Sequence, residues 1–124
     1  MQLTRHSIRR FNDSLGHWRV GPEYADTMLH YFVYGFDPGS FFTSVLANDF
    51  FMAMCHSHPA NSIPALKDLA KWIINAAPRE AIGSREKVKA WLQMSEAERR
   101  KILEECELIY TEQEETWKVL NEPA

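Results

Sequence analysis

Apolar residues recur at three- and four-residue intervals along most of the chain, the spacing that gathers them on one face of an α-helix. Tyr24, Met28, Leu29, Phe32 and Val33 follow this rule between Gly21-Pro22 and Gly35. Proline suits a first turn and glycine a last one, so a helix is predicted from about 22 to 34. Asp37-Pro38-Gly39-Ser40 repeats the opening signal, with Asp as N-cap and Pro in the first helical position. A second helix is predicted from about 38 to 55. Its apolar residues run from Phe41 and Phe42 through Val45 and Leu46 to Phe50, Phe51, Met52 and Met54, and they occupy nearly every face. A helix apolar all round is either central to its domain or shared with another subunit.

A loop containing His56, His58 and Pro59 follows, after which Asn61 or Ser62 caps a helix whose first turn takes Pro64. Leu66, Leu69, Ala70, Ile73 and Ala77 form its single stripe, ended by Pro78. Gly83-Ser84 opens a fourth helix with Val88, Trp91 and Leu92 inward. Ser95-Glu96-Ala97-Glu98 is a capping box for a fifth. Ile102, Leu103, Cys106, Ile109, Tyr110, Trp117 and Leu120 carry that helix to the C-terminus. The first twenty residues show no strong periodicity beyond one helical turn near Ile8 to Phe11, and they read as a basic, partly ordered arm. No alternating β-branched run or Asn-Gly hairpin is present. The expected fold is all-α, a compact bundle of about five helices forming a single domain over residues 21–124, with the arm at 1–20.

Composition narrows the class. The chain has 124 residues, 45% of them apolar and 25% charged, which fits one globular domain and excludes a fibre or a disordered tail. The net charge of −3 hides blocks: residues 1–20 carry four Arg against one Asp, residues 21–64 carry four acids and no Lys or Arg, and residues 93–124 carry nine acids and four bases. This balance argues against a general nucleic-acid binder, which needs a dominant basic face to release counterions. Cys55 and Cys106 each sit within an apolar helical pattern, without disulfide spacing or a leader-like segment. Buried thiols in a reducing cytosol are expected. The longest apolar stretch, Phe41 to Cys55, is interrupted by Asn48 and Asp49 and is too short to span a bilayer, so no membrane association is expected.

Candidate chemistry is sparse. Cys55-His56-Ser57-His58 offers thiolate and imidazole, but it lacks a fourth ligand, a Cys-x-x-Cys pair or a His-Glu-x-x-His helix. Neither a metal site nor a cofactor is expected, and a metal-dependent hydrolase using His56 and His58 stands only as a third reading. Asp49, preceded by Asn48, is the conspicuous acid on the most apolar helix and must find donors there. The pair either accepts backbone N–H groups at a helix start or meets a ligand. Two Gly-containing helix starts, Pro38-Gly39-Ser40 and Gly83-Ser84-Arg85, expose N–H groups that suit a phosphate. Arg85, Lys87 and Lys89 strengthen the second. Ordinary capping produces the same pattern. Aromatic residues nearby, Trp91 among them, suit stacking on a base, packing in the core, or an interface between subunits.

These residues carry a resemblance. Pro38, Gly39, Ser40 and Phe41, then Val45, Leu46, Asn48 and Asp49, then Gly83, Ser84, Glu86, Lys87, Val88 and Trp91, resemble the pattern of a small family of tailed-phage proteins without assigned function. A short Ala-Asp-x-x-Asn turn of that pattern keeps Asn61 here but has His58 in place of its Asp. The likeness spans roughly residues 28 to 92 and implies a phage-encoded protein acting in the host cytoplasm, a setting in which small proteins often counter host defence. The expected function is non-enzymatic: binding and sequestering a small phosphorylated, nucleotide-like signal. Ser40, Gly83, Ser84 and Arg85 would meet phosphate, Asn48 and Asp49 base or ribose, and Trp91 would stack. A homo-oligomer would close through the Phe-rich helix. The rival expectation is a protein–protein inhibitor of a host defence effector, acting through the acidic C-terminal helix.

Overall fold

The computed structural model describes residues 3–58 and 61–120. Among them the chain forms eight α-helices and no strand: α1 Arg5–His17, α2 Pro22–Phe32, α3 Ser40–Leu46, α4 Phe50–His56, α5 Ile63–Ala76, α6 Arg85–Gln93, α7 Glu96–Glu105 and α8 Glu112–Leu120. A short 3-10 turn, Arg79–Ala81, joins α5 to α6. The all-α class matches expectation, and the larger number of helices has three local causes. Pro59 and the side chain of Leu120, to which the sequence assigns a loop and an inward position, lie outside the described residues.

The first cause is the N-terminal segment, which is a helix of the core and not an arm. Thr4 caps α1 by accepting the Ser7 N–H at 3.3 Å. Ser7, Phe11 and Leu15, spaced by four, are buried along one face. Ile8 packs beside them, and apart from Gly16 the remaining positions are polar, so the stripe is narrow and the periodicity is faint in the sequence. The second cause is Asn48, whose φ of 60° breaks the Phe-rich run. Asn tolerates this left-handed region better than most residues. Asp49 then restarts the helix by accepting the Met52 N–H at 3.3 Å. The third cause is Glu107, also at φ 60°, which separates α7 from α8.

The core is aromatic. Phe32 lies at its centre, with ring centroids 5.4 Å from Trp72, 6.3 Å from Trp91 and 4.9 Å from Tyr31, all near edge-to-face. Phe11 of α1 meets Trp72 at 5.8 Å. Such edge-on pairs add about 0.5–1.5 kcal/mol each beyond the area they bury. The polar tips of these rings are all satisfied. Trp72 Nε1 donates to Ser14 Oγ at 3.0 Å, Trp91 Nε1 to the Tyr31 carbonyl at 3.1 Å, and the Tyr31 hydroxyl to the Ala81 carbonyl at 2.7 Å.

Two links fix the helices that carry the candidate site. Gly83 adopts φ 104°, open to glycine and strained for other residues, and its N–H donates to the Leu46 carbonyl at 2.8 Å. This ties the start of α6 to the end of α3. At the other end of α2, the buried Arg99 of α7 donates to the carbonyls of Val33, Tyr34 and Met94. A guanidinium thereby closes a helix end whose carbonyls would otherwise lack partners.

Candidate functional site

The α3–α4 corner and the start of α6 enclose a polar cleft. α3 begins after Gly39, whose N–H is held by Asp37 Oδ1 at 2.9 Å. One turn on, Ser44 donates to the Ser40 carbonyl at 3.0 Å, and its own oxygen accepts from Arg85 Nη2 at 3.1 Å. The same Arg85 nitrogen reaches Asp49 Oδ2 at 3.1 Å. The remaining guanidinium donors stay accessible, since the Arg85 side chain is 49% exposed and that of Asp49 34%. Hydrogen bonding from Arg85, and then from the Met52 N–H, holds the Asp49 carboxyl below the usual carboxylate range. Asp49 is therefore ionised at neutral pH.

The cleft has a volume of about 430 Å³ and is lined by Asp37, Gly39, Ser40, Thr43, Ser44, Asp49, Met52, His56 and Arg85. Of the residues singled out in the sequence, Ser40, Asp49 and Arg85 meet here although up to 45 positions separate them. The others do not meet a ligand as expected. Asn48 lines an adjoining apolar groove that shares Ser44 and Asp49 with the cleft. Gly83 has its N–H occupied by Leu46, and Ser84 caps α6 by accepting the Lys87 N–H at 3.1 Å. Trp91 is fully buried and cannot stack on a ligand. Phe32 and Tyr31 cover its ring and polar edge, which is a core role.

Comparison with protein-family models, curated proteins and solved structures finds no match to this chain. The site therefore has to be understood from its own geometry.

Sequence reasoning missed Ser44, Thr43 and Asp37 as cleft residues and considered His56 only for metal. The usable signal was helical spacing: Ser44 lies four residues after Ser40 and shares its face. Among the described residues no three His, Cys, Asp or Glu side chains gather as a metal ion would require. Cys55 is exposed, not buried as expected, because it lies on the outer side of α4. Burial pushes the Cys106 thiol up, with Glu80 and Glu105 adding to the effect, so it stays protonated. Asn61 accepts from the Tyr24 hydroxyl at 2.8 Å and anchors the start of α5 to α2. No helix among the described residues is long and apolar enough to cross a membrane.

Taken together, the cleft offers one guanidinium, two carboxylates, hydroxyl groups and an imidazole. This set suits a small molecule with both an anionic group and hydrogen-bond donors. Guanidinium matches phosphate in a planar, bidentate manner, whereas carboxylates accept from ribose hydroxyls or base amino groups.

Proposed function

We propose that this protein is a non-enzymatic binder that sequesters a small phosphorylated, nucleotide-like molecule in the α3–α4–α6 cleft. The observation that carries the reading is the convergence of Ser44 and Asp49 on a half-exposed Arg85, with Ser40 lining the same cleft. In this reading an incoming phosphate engages the accessible edge of Arg85, and Asp37 and Asp49 take donors on the rest of the ligand. Trp91, Gly83 and Ser84 support the site from behind without contact. The resemblance of residues 28 to 92 to tailed-phage proteins supplies the setting: a counter-defence factor acting in the host cytoplasm that removes a signal on which a host defence depends.

Calorimetric titration with cyclic and linear nucleotides and inorganic phosphate tests it. Binding at micromolar concentrations, weakened at least tenfold by Arg85→Ala, is expected (about 1.4 kcal/mol or more). No heat across the panel, together with no small-molecule mass released on denaturing protein from infected cells, overturns it.

The rival reading, inhibition through the acidic C-terminal helices, has less geometric support. Glu104 and Glu115 point inward to Arg100, at 2.8 Å in the case of Glu104. A pull-down lost on neutralising Glu104, Glu105 and Glu107 but surviving Arg85→Ala would favour that rival.

A further inference from the structure

Helix α4 leaves most of its apolar surface uncovered. Phe51 is 81% exposed and Phe50 67%, with Met52 and Met54 also exposed. The patch continues onto α5. Ile63 is 68% exposed and Ile74 77%, and these two lie about three turns apart on the same helical face. Between the two helices runs an apolar groove of about 330 Å³, whose walls include Val45, Ala53, Met54 and Leu66. Isolated exposed apolar residues are ordinary, but a contiguous patch marks an interface.

We infer that this face binds a second copy of the same chain about a two-fold axis, with Phe51 of each copy entering the groove of the other. Three features select that occupant. Residues 50–66 contain no Asp, Glu, Lys or Arg, and the two charged residues on the groove walls, Asp49 and Lys67, are of opposite sign. A two-fold interface sets each patch against itself, and a patch whose bordering charges cancel meets its own kind without net repulsion. Next, the protruding Phe51 does not line the groove, so projection and recess are separate features of one surface. This is the condition for reciprocal insertion. Last, the exposed parts of Phe50, Phe51, Met54, Ile63 and Ile74 amount to on the order of 500 Å² of apolar surface. That is more than half of the roughly 800 Å² per partner that a stable interface buries. The groove adjoins the polar cleft through Ser44 and Asp49, and the inference does not rest on what that cleft binds.

Sedimentation of the full chain over a dilution series tests it. A dimer is expected at tens of micromolar, dissociating on dilution, with Phe51→Glu and Ile63→Glu both monomeric and both retaining the helical circular dichroism of the parent. Phe36→Ser, an exposed aromatic on another face, is expected to leave the dimer intact. A second measurement needs no variant: exposed Cys55, one turn from Phe51 on α4, should be alkylated more slowly as protein concentration rises. A wild-type chain that stays monomeric at several hundred micromolar, a dimer that survives Phe51→Glu, or a Cys55 alkylation rate independent of concentration overturns the inference.

Discussion

Gly35 and Arg99 depend on each other. Gly35 has φ 68°, and a Cβ placed on it would lie 2.8 Å from the Arg99 guanidinium carbon. The glycine therefore does two things: it turns the chain out of α2 and leaves space for the group that caps the same helix. Arg99 donates from three nitrogens to three backbone carbonyls, a pattern that a lysine's compact ammonium cannot reproduce. Gly35→Ala is expected to lower unfolding free energy by about 2 kcal/mol, combining left-handed strain with displacement of the guanidinium. Urea denaturation would measure it. A loss of only a few tenths would mean that Arg99 relaxes without breaking its bonds.

The break between α3 and α4 is decided by one residue that the surrounding pattern hides. Apolar periodicity from Phe41 to Cys55 continues straight through Asn48, so a single long helix is the natural prediction, and only the Asn-Asp pair signals otherwise. Asn accepts a positive φ, and Asp is a strong N-cap. Read together they mark one helix ending and another beginning. Asn48→Gly should keep the corner and leave stability nearly unchanged, whereas Asn48→Ile should cost about 1–2 kcal/mol. Thermal melts of the two variants would separate these outcomes. The all-α class and the boundaries near Pro22, Pro64, Ser84 and Ser95 were legible because caps and stripes agree there. The α1 helix was not, since only Ile8, Phe11 and Leu15 mark its apolar face among Arg, His, Asn, Asp and Ser. Trp91 misled for a related reason: a large ring beside a basic helix start fits ligand or core equally well, and only its packing on Phe32 distinguishes them. Arg85 and Asp49 were visible as individual residues, but their pairing across 36 positions depends on the α3–α4 corner.

At the scale of the whole molecule, α1, α7 and α8 are held by a polar cluster centred on Arg100 and Glu115. Glu115 accepts from Thr4 Oγ1 at 3.2 Å and pairs with Arg100. Burial alone would raise the Glu115 pKa, but hydrogen bonds from Ser7, Arg100 and Thr4 outweigh it and leave the carboxyl below its ordinary value. For Arg100, burial opposes the charge, while bonds to Glu115 and Glu104 overcome this and raise its pKa. A carboxyl with a depressed folded-state pKa stabilises fully above its unfolded value and loses that contribution as pH falls through the folded one. Unfolding free energy should therefore decline from roughly pH 5 to pH 3. Glu115→Gln should flatten part of that decline and cost about 2 kcal/mol at pH 7, by leaving Arg100 under-paired in a half-dry site. Denaturant midpoints of both proteins across that range would check the sign and the size.

The same cluster also constrains the order in which the chain is completed. Its bonds span separations of 111 residues from Thr4 to Glu115, 103 from Ser7 to Tyr110, and 97 from Arg10 to Glu107. During synthesis α1 leaves the ribosome long before the partners that hold its outer side. Phe11 can dock on Phe32 and Trp72 once α2 and α5 have emerged, but Thr4, Ser7 and Arg10 must wait for the segment from Glu107 to Glu115. A chain cut short before α8 would release a product in which α1 is held by its apolar face alone, and proteases would find that helix before the rest of the core.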